Sequence, residues 1–276
     1  MAQKSIFQFR INKWSRKNPL PLFERAVFLH NASKLKLYNG YRKATGMLKI
    51  TFNGHSNFHF DDGARQLLID PWFGGNPKAK ARPTDYDQID LVLVTHGHRD
   101  HLGDAVEISK KYQAPIVAPF ELAMYCQRRG ALVHPMNHGG ERRYDFCTVK
   151  MTNAVHSSSF VDKGAEYTGN PCGFILEMGG RKVYYTGDTA LFGDMKLIAE
   201  MESPEIMMLP IGSIYTMGAR DAAKAVEFVG PKYVIPMHYA TFEVLDQNPD
   251  SFASHLKNLP AELVVLGVGE SREFGG

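Results

Sequence analysis

Cysteine is scarce in this chain: Cys126, Cys147 and Cys172 are the only three among 276 residues. Their wide spacing forms no C-x-x-C pair, which excludes a disulfide framework and cysteine-based zinc motifs. Buried or reduced thiols in a reducing compartment are expected instead. No apolar run approaches the ~18–20 residues that span a bilayer. The basic N-terminus lacks the apolar core of a secretory signal. The expectation is therefore a cytoplasmic chain with no membrane span. Glycine pairs at 74–75, 139–140 and 179–180 read as turns, and none belongs to a G-x-G-x-x-G or P-loop motif. No G-x-S-x-G elbow accompanies the serine run 157–159, so a serine nucleophile is not expected. Short repeats and low-complexity segments are also missing.

What is present is ordinary globular composition, 44% hydrophobic and 22% charged, with a net charge of +3. The charge is unevenly placed. Residues 1–46 hold ten Lys or Arg and one acid, Glu24, giving +9; the remaining 22 basic and 28 acidic residues give −6. We therefore divide the chain into a basic N-terminal arm over 1–46 and a catalytic body over 47–276. Pro19 and Pro21 interrupt the arm, and 20–37 has the composition for a helix. A docking arm, a basic contact to phosphate or a membrane surface, a start-codon extension and an organelle transit peptide all fit it.

From Met47 onward, strand-like runs (48–52, 67–70, 90–95, 115–118, 148–152, 173–178, 182–187, 206–210, 232–236, 262–266) alternate with helix-like runs (104–112, 120–130, 195–201, 220–230, 249–258). Gly130 and Gly230 sit where helix C-caps are expected, and Asp250 or Ser251 could cap the last helix. Hairpin-like strands come first and strand–helix units follow, and this order occurs twice. Two such halves with their sheets face to face make an α/β fold, a four-layer αββα sandwich.

The stretch THGHRDHLGD, residues 95–104, follows the apolar strand DLVLVT and so lies where α/β folds place their chemistry. A turn at Gly97 lets His96 and His98 converge, and Asp100 and His101 face a neighbouring point. Two adjacent sets of nitrogen and oxygen donors suit two divalent cations. His156, Asp188 and His238 each follow a further apolar strand and can complete such a site. His55 follows the first strand, with a catalytic or substrate role and a structural one both open. Tyr215 and Tyr239 also follow strand ends, within reach of a substrate or in ordinary packing. His30, His134 and His255 read as surface or packing residues, while His59 and His138 carry no assigned role.

The motifs FNGHSNFHF, LLIDPW, VTHGHRDHLGDAVEI, MNHGG, AVHSSS, YTGDTALFGDMKLI, LPIGSIYTMG and VIPMHYATF occur in that order between Met47 and about Ser271. Together they resemble the metallo-β-lactamase superfamily, in particular its bacterial metal-dependent hydrolases similar to L-ascorbate-6-phosphate lactonase. The resemblance implies one metal on His96, His98 and His156, a second on Asp100, His101 and His238, and Asp188 bridging both. Asp70 is then a structural aspartate. Zinc is the first expectation, with manganese or iron as alternatives. A bridging hydroxide would attack a small ester, lactone or phosphoester, with Asp100 and Asp188 assisting and His55 a candidate leaving-group acid.

Oxygen-reducing di-iron members of the fold typically place Glu where His98 stands, so His98 favours hydrolysis. True β-lactamases usually lack the histidine equivalent to His101, which argues against antibiotic hydrolysis. The expected partner is a small-molecule substrate, with association into homo-oligomers open. Cleavage of nucleic-acid phosphodiesters is the rival enzyme reading, supported by the basic arm and opposed by the acidic body. A metal-binding protein without turnover is the rival from another class.

Overall fold

The computed structural model describes residues 46–246 and 248–275. The basic arm and the helix expected over 20–37 lie outside the described residues, Gly46 apart. Among the described residues no helix is long and apolar enough to cross a membrane.

The first half begins with antiparallel strands β1 (Met47–Gly54), β2 (Asn57–Asp61) and β3 (Gln66–Ile69). Three parallel strands follow: β4 (Leu91–Leu93), β5 (Ile116–Pro119) and β6 (Val133–Met136). One helical turn, α1 (Arg99–Leu102), and two helices, α2 (Ala105–Tyr112) and α3 (Phe120–Arg128), connect them. The second half repeats the plan. Antiparallel β7 (Glu141–Arg143), β8 (Cys147–Asn153), β11 (Cys172–Met178) and β12 (Arg181–Tyr185) precede parallel β13 (Ile206–Pro210), β14 (Tyr233–Met237) and β15 (Glu262–Leu263). Helices α4 (Met195–Glu202), α5 (Ala219–Val229) and α6 (Asp250–Leu256) belong to this half. A small hairpin, β9 (Ser159–Val161) with β10 (Ala165–Tyr167), stands apart from both sheets. The last strand, β16 (Ser271–Gly275), returns to pair with β1, so the first sheet reads β16-β1-β2-β3-β4-β5-β6 and the second β15-β14-β13-β12-β11-β8-β7.

Side chains alternate across a strand, so each sheet can bury both faces. Leu67, Ile69, Leu91 and Leu93 point between the sheets and meet Val149, Phe174, Leu176 and Met208. Leu68, Val92 and Ile116 point the other way, onto Ile108, Leu122 and Cys126 of α2 and α3. Across the molecule Ile175, Met207 and Val234 pack on Met195, Ala222, Val226 and Phe252 of α4, α5 and α6. These three apolar clusters separate four layers, helices–sheet–sheet–helices, as the repeated strand order implies.

Several local expectations change. Strand β2, NFHFD, lies between the two runs that composition picks out, because His59 and Asn57 break the apolar pattern. The run 262–266 pairs as a strand only over Glu262–Leu263, although Val264 and Leu266 remain buried. The last helix is entered through Pro249, and Asn248 rather than Asp250 or Ser251 accepts a bond there, from the Asp250 amide at 3.0 Å. Gly230 is a left-handed C-cap as expected. Arg129 is the C-cap of α3, and Gly130 is the residue after it.

The inter-sheet cluster carries most of the apolar contact between the halves, so Leu176→Ala is expected to lower the unfolding free energy by about 2–5 kcal/mol. Val155→Ala, on an exposed side chain, should stay within about 0.5 kcal/mol. Urea midpoints with an unchanged m-value would show the difference; equal midpoints would contradict this packing.

Candidate metal centre

Every expected ligand, together with His55 and Asp70, lies just past the C-terminal end of a strand, or on the helical turn after it. His55 follows β1, Asp70 follows β3, and His238 follows β14 immediately. His96, His156 and Asp188 come three residues after β4, β8 and β12. His98 caps α1, and Asp100 and His101 lie within it. Two glycines make close approaches that bring these segments together. A Cβ on Gly97 would stand 2.1 Å from Thr168 Oγ1, and one on Gly212 would stand 1.9 Å from the His238 carbonyl. No side chain fits at either position.

Three donor clusters result: His96 with His98 and His156; His96 with His101 and Asp188; and His101 with Asp100, His238 and His55. In the first, His98 Nδ1 lies 2.9 Å from His96 Nε2 and 3.3 Å from His156 Nε2. Asp188 Oδ2 lies 3.0 Å from His238 Nε2, 3.2 Å from His101 Nε2 and 3.7 Å from His156 Nε2. The structure thus brings all seven expected ligands together, with Asp188 between the other two sets. His96, His101, Asp188 and His238 are buried, while His98, Asp100 and His156 are partly exposed and form the open side.

The outward ring nitrogens are already committed. Thr95 Oγ1 gives its one proton to Asp70 Oδ2, 2.8 Å away, and so accepts from His96 Nδ1 at 2.9 Å. His101 Nδ1 donates to Asp70 Oδ2 at 2.8 Å. Both imidazoles therefore turn Nε2 inward, the tautomer a metal ligand requires. His101 Nε2, Asp188 Oδ1 and His238 Nδ1 are buried without a hydrogen-bond partner. Buried atoms left so, among them His101 Nε2 and Asp188 Oδ1 within one donor cluster, are costly for a protein alone and fit a cation.

The protonation pattern agrees. Burial, with His101 nearby, holds His96 well below the ordinary histidine range. Burial likewise lowers His98 and takes His156 to about 4. Burial also opposes charge on His101, but Asp188 and Asp70 on either side outweigh it and raise His101 well above that range. Burial would raise Asp188, yet His101 and His238 hold it well below the usual carboxylate range. For Asp100 burial is outweighed by the His55 hydrogen bond and by His101, again depressing the carboxyl. The centre wants positive charge between its carboxylates.

His55 is almost fully buried, with Nε2 3.1 Å from Asp100 Oδ2 and Nδ1 2.9 Å from Thr241 Oγ1. Burial, reinforced by His238, lowers it to about 4, so it is neutral and donates from Nε2 to Asp100, while the Thr241 hydroxyl stands against Nδ1 and 3.2 Å from the Tyr239 carbonyl. Tyr215 is 58% exposed, whereas Tyr239 is partly buried against the outer core of the second sheet. His59, His134 and His138 bond Gln66, the Tyr144 hydroxyl and the Pro171 carbonyl, away from the donor clusters. Asp104 receives the Phe73 and Gly74 amides at 2.8 and 2.9 Å. Sequence reasoning missed Thr95, Thr241 and Tyr185 as supports. Thr95 had a signal, its place before the first histidine; Tyr185 and Thr241 had none.

The family described as "Beta-lactamase superfamily domain" matches residues 65–239. A UPF0173 metal-dependent hydrolase of Pelotomaculum thermopropionicum is 46% identical over 230 residues, 82% of this chain and 100% of that protein. The structure of Igni18, described as a novel metallo hydrolase from the archaeon Ignicoccus hospitalis, is similar with a TM-score of 0.76 at 34% identity, covering 83% of this chain and 99% of that one. An isothiocyanate hydrolase from Delia radicum gut bacteria shares the fold, with a TM-score of 0.65 at 18% identity over 82% of this chain and 99% of that one.

Two predictions follow from the centre's hydrogen bonds and charges. Asp70→Asn should weaken metal binding by roughly 10–100-fold, as loss of a ligand's outer partner does; unchanged affinity in a chelator competition would refute that role. For protein stripped of metal, His55 and His156 titrate near 4 when folded against 6.5 in the unfolded chain. The unfolded state binds those protons first, so stability falls as pH drops from about 6.5 towards 4, by at most about 1.4 kcal/mol per pH unit per group. The raised His101 acts oppositely: its stabilisation is complete below about 6.5 and is lost as pH rises through its folded value. Asp100 and Asp188, depressed when folded, stabilise above about 3.8 and lose this only below it. A urea midpoint at pH 5 equal to or above that at pH 6 would contradict this balance.

Proposed function

The chain belongs to the beta-lactamase superfamily and to its UPF0173 metal-dependent hydrolases, and from that premise we propose that it hydrolyses a small ester, lactone or phosphoester at a dinuclear centre. The observation that carries this is the inward face of His101. Its Nδ1 is committed to Asp70, and its Nε2 faces the donor cluster, 3.2 Å from the Asp188 carboxylate.

His96, His98 and His156 would hold one cation and Asp100, His101 and His238 the other, with Asp188 shared. Nitrogen and carboxylate donors of this kind accept zinc first, and manganese or iron as well. When bound, two such cations acidify water and polarise a carbonyl or phosphoryl oxygen.

The chain's own residues supply the rest. Asp188 offsets the centre's positive charge from a solvent-excluded position. Asp100, on the open side, would orient the proton of the attacking hydroxide. His55 donates to Asp100 and holds its carboxylate in one orientation. Both ring nitrogens of His55 are taken, so we assign it as a positioning residue, not as the leaving-group acid. Thr95 and Asp70 fix the rings of His96 and His101, so little reorganisation is left for the reaction.

Metal analysis coupled to a substrate panel tests this reading. Two ions per chain are expected, with turnover that vanishes under chelator and returns with zinc or manganese. Asp188→Ala should lower metal occupancy and reduce kcat/KM by more than the roughly 100-fold cost of losing an outer partner, with the circular dichroism unchanged. Full activity in that variant with two ions bound would sink the shared-ligand assignment. Two ions with no turnover across esters, lactones and phosphoesters would favour a binding protein.

A further inference from the structure

We infer that the turn 213–217, with residues 239–246 after β14, forms an apolar lip on the metal centre that binds the hydrocarbon part of the substrate. The hydrolase would then act on compounds that carry an alkyl or aryl chain beside the scissile bond; this rests on the hydrolase reading above.

The turn is fastened to the segments that carry two expected ligands. Gly212 bridges Gly218 and packs on the His238 carbonyl. The Met217 amide donates to the carbonyl of Thr189, the residue after Asp188, at 3.1 Å. Within the turn, the Ser213 amide donates to Met217 O at 3.1 Å. Ser213 and Ile214 are both left-handed, with φ of 61° and 53°. A β-branched residue in that region is an outlier. Ile214 regains little by packing, because it is 68% exposed, and Tyr215 beside it is 58% exposed. The fold needs only a turn here, and Gly or Asn would make it with less strain. A strained, exposed isoleucine two residues from the glycine that packs on His238 points to recognition.

The second loop extends the same surface. The Asp246 amide donates to Gly212 O at 3.0 Å, tying the two loops together. Phe242 and Val244 are 38% and 57% exposed. The Phe242 ring lies 5.6 Å from His55 and 5.9 Å from Trp72, which places it against the centre's own wall. Single exposed apolar residues are normal, but Ile214, Tyr215, Phe242 and Val244 stand exposed on two mutually bonded loops that flank the expected ligand His238.

The test is calorimetric binding of straight-chain carboxylates, acetate to decanoate, to the metal-loaded full chain. Affinity should rise roughly twofold per methylene, about half of full burial for each group. The slope should flatten in Ile214→Gly with Tyr215→Ser. Ile214→Gly alone should leave Tm unchanged or higher, since it relieves strain, and should still reduce the slope. An affinity independent of chain length, or a slope that survives both substitutions, would overturn the lip. Nitrophenyl esters of the same acids separate this from the hydrolase reading. Rising affinity with no turnover keeps the lip and removes the hydrolase; turnover with a flat affinity series does the reverse.

Discussion

Asp70 lies where water does not reach, and its carboxylate accepts from the Thr95 amide, the Thr95 hydroxyl and His101 Nδ1, each at 2.8 Å. The Tyr185 hydroxyl, from the opposite sheet, stands 3.0 Å away and 2.6 Å from the Ser56 carbonyl. Burying a carboxylate unpaired would cost several kcal/mol, and these donors offset it. They also do more than satisfy the anion. Each one is a handle on another part of the site: Thr95 passes the constraint to His96, His101 carries it into the donor cluster, and Tyr185 joins the two sheets at that point. The geometry of the metal centre is a consequence of how this one group is solvated by protein.

A second constraint acts through the backbone. His55, Asp70 and His238 all have positive φ, at 63°, 46° and 55°. Each is the first residue past a strand. A left-handed residue there turns the chain sharply and sends its side chain into the crevice beyond the sheet, where a relaxed continuation would carry it past. Each such residue costs of order 1–3 kcal/mol. The strain is locked by cross-sheet bonds, among them the His238 amide donating to the His55 carbonyl at 2.8 Å. The inter-sheet core supplies the stability against which it is held.

This division explains what a reader of the sequence can and cannot see. The parallel strands β4, β5, β13 and β14 and the helices beside them are written as unbroken apolar runs or amphipathic stretches, because one short segment must bury a whole face. The ligand-rich stretch 95–104 is equally visible: of its five metal-competent side chains, four enter the donor clusters and only Asp104 serves the backbone. The supports are not. Tyr185 looks like any strand aromatic, and Thr241 like any loop hydroxyl, until folding places them against residues 115 and 186 positions away. His55 shows the limit clearly. Its motif marks it as part of the site, but only the two committed ring nitrogens separate orienting Asp100 from donating to a substrate. Likewise the hairpin of β9 and β10 is too short and polar to announce itself, yet Thr168, just past it, is what requires glycine at 97.

The centre also couples function to folding. His96, His98, Asp100 and His101 come from the first half of the chain, while His156, Asp188 and His238 come from the second. Apolar packing holds the two sheets together along most of their contact, but at the mouth that packing is replaced by carboxylates and imidazoles. With Asp70, Asp100 and Asp188 drawn together there, electrostatics would open the crevice unless positive charge sat inside it. A proton on His101, shared between Asp70 and Asp188, is the smallest charge that serves, and it ties the halves only through one ring. Cations held by ligands from both halves would bridge the same gap through seven side chains. Binding them only in the folded state would add about 2.7 kcal/mol at a free concentration 100 times Kd. The groups that would perform the chemistry are then also the clasp between the two sheets, so the strain and desolvation stored around Asp70 are offset most fully when the site is loaded.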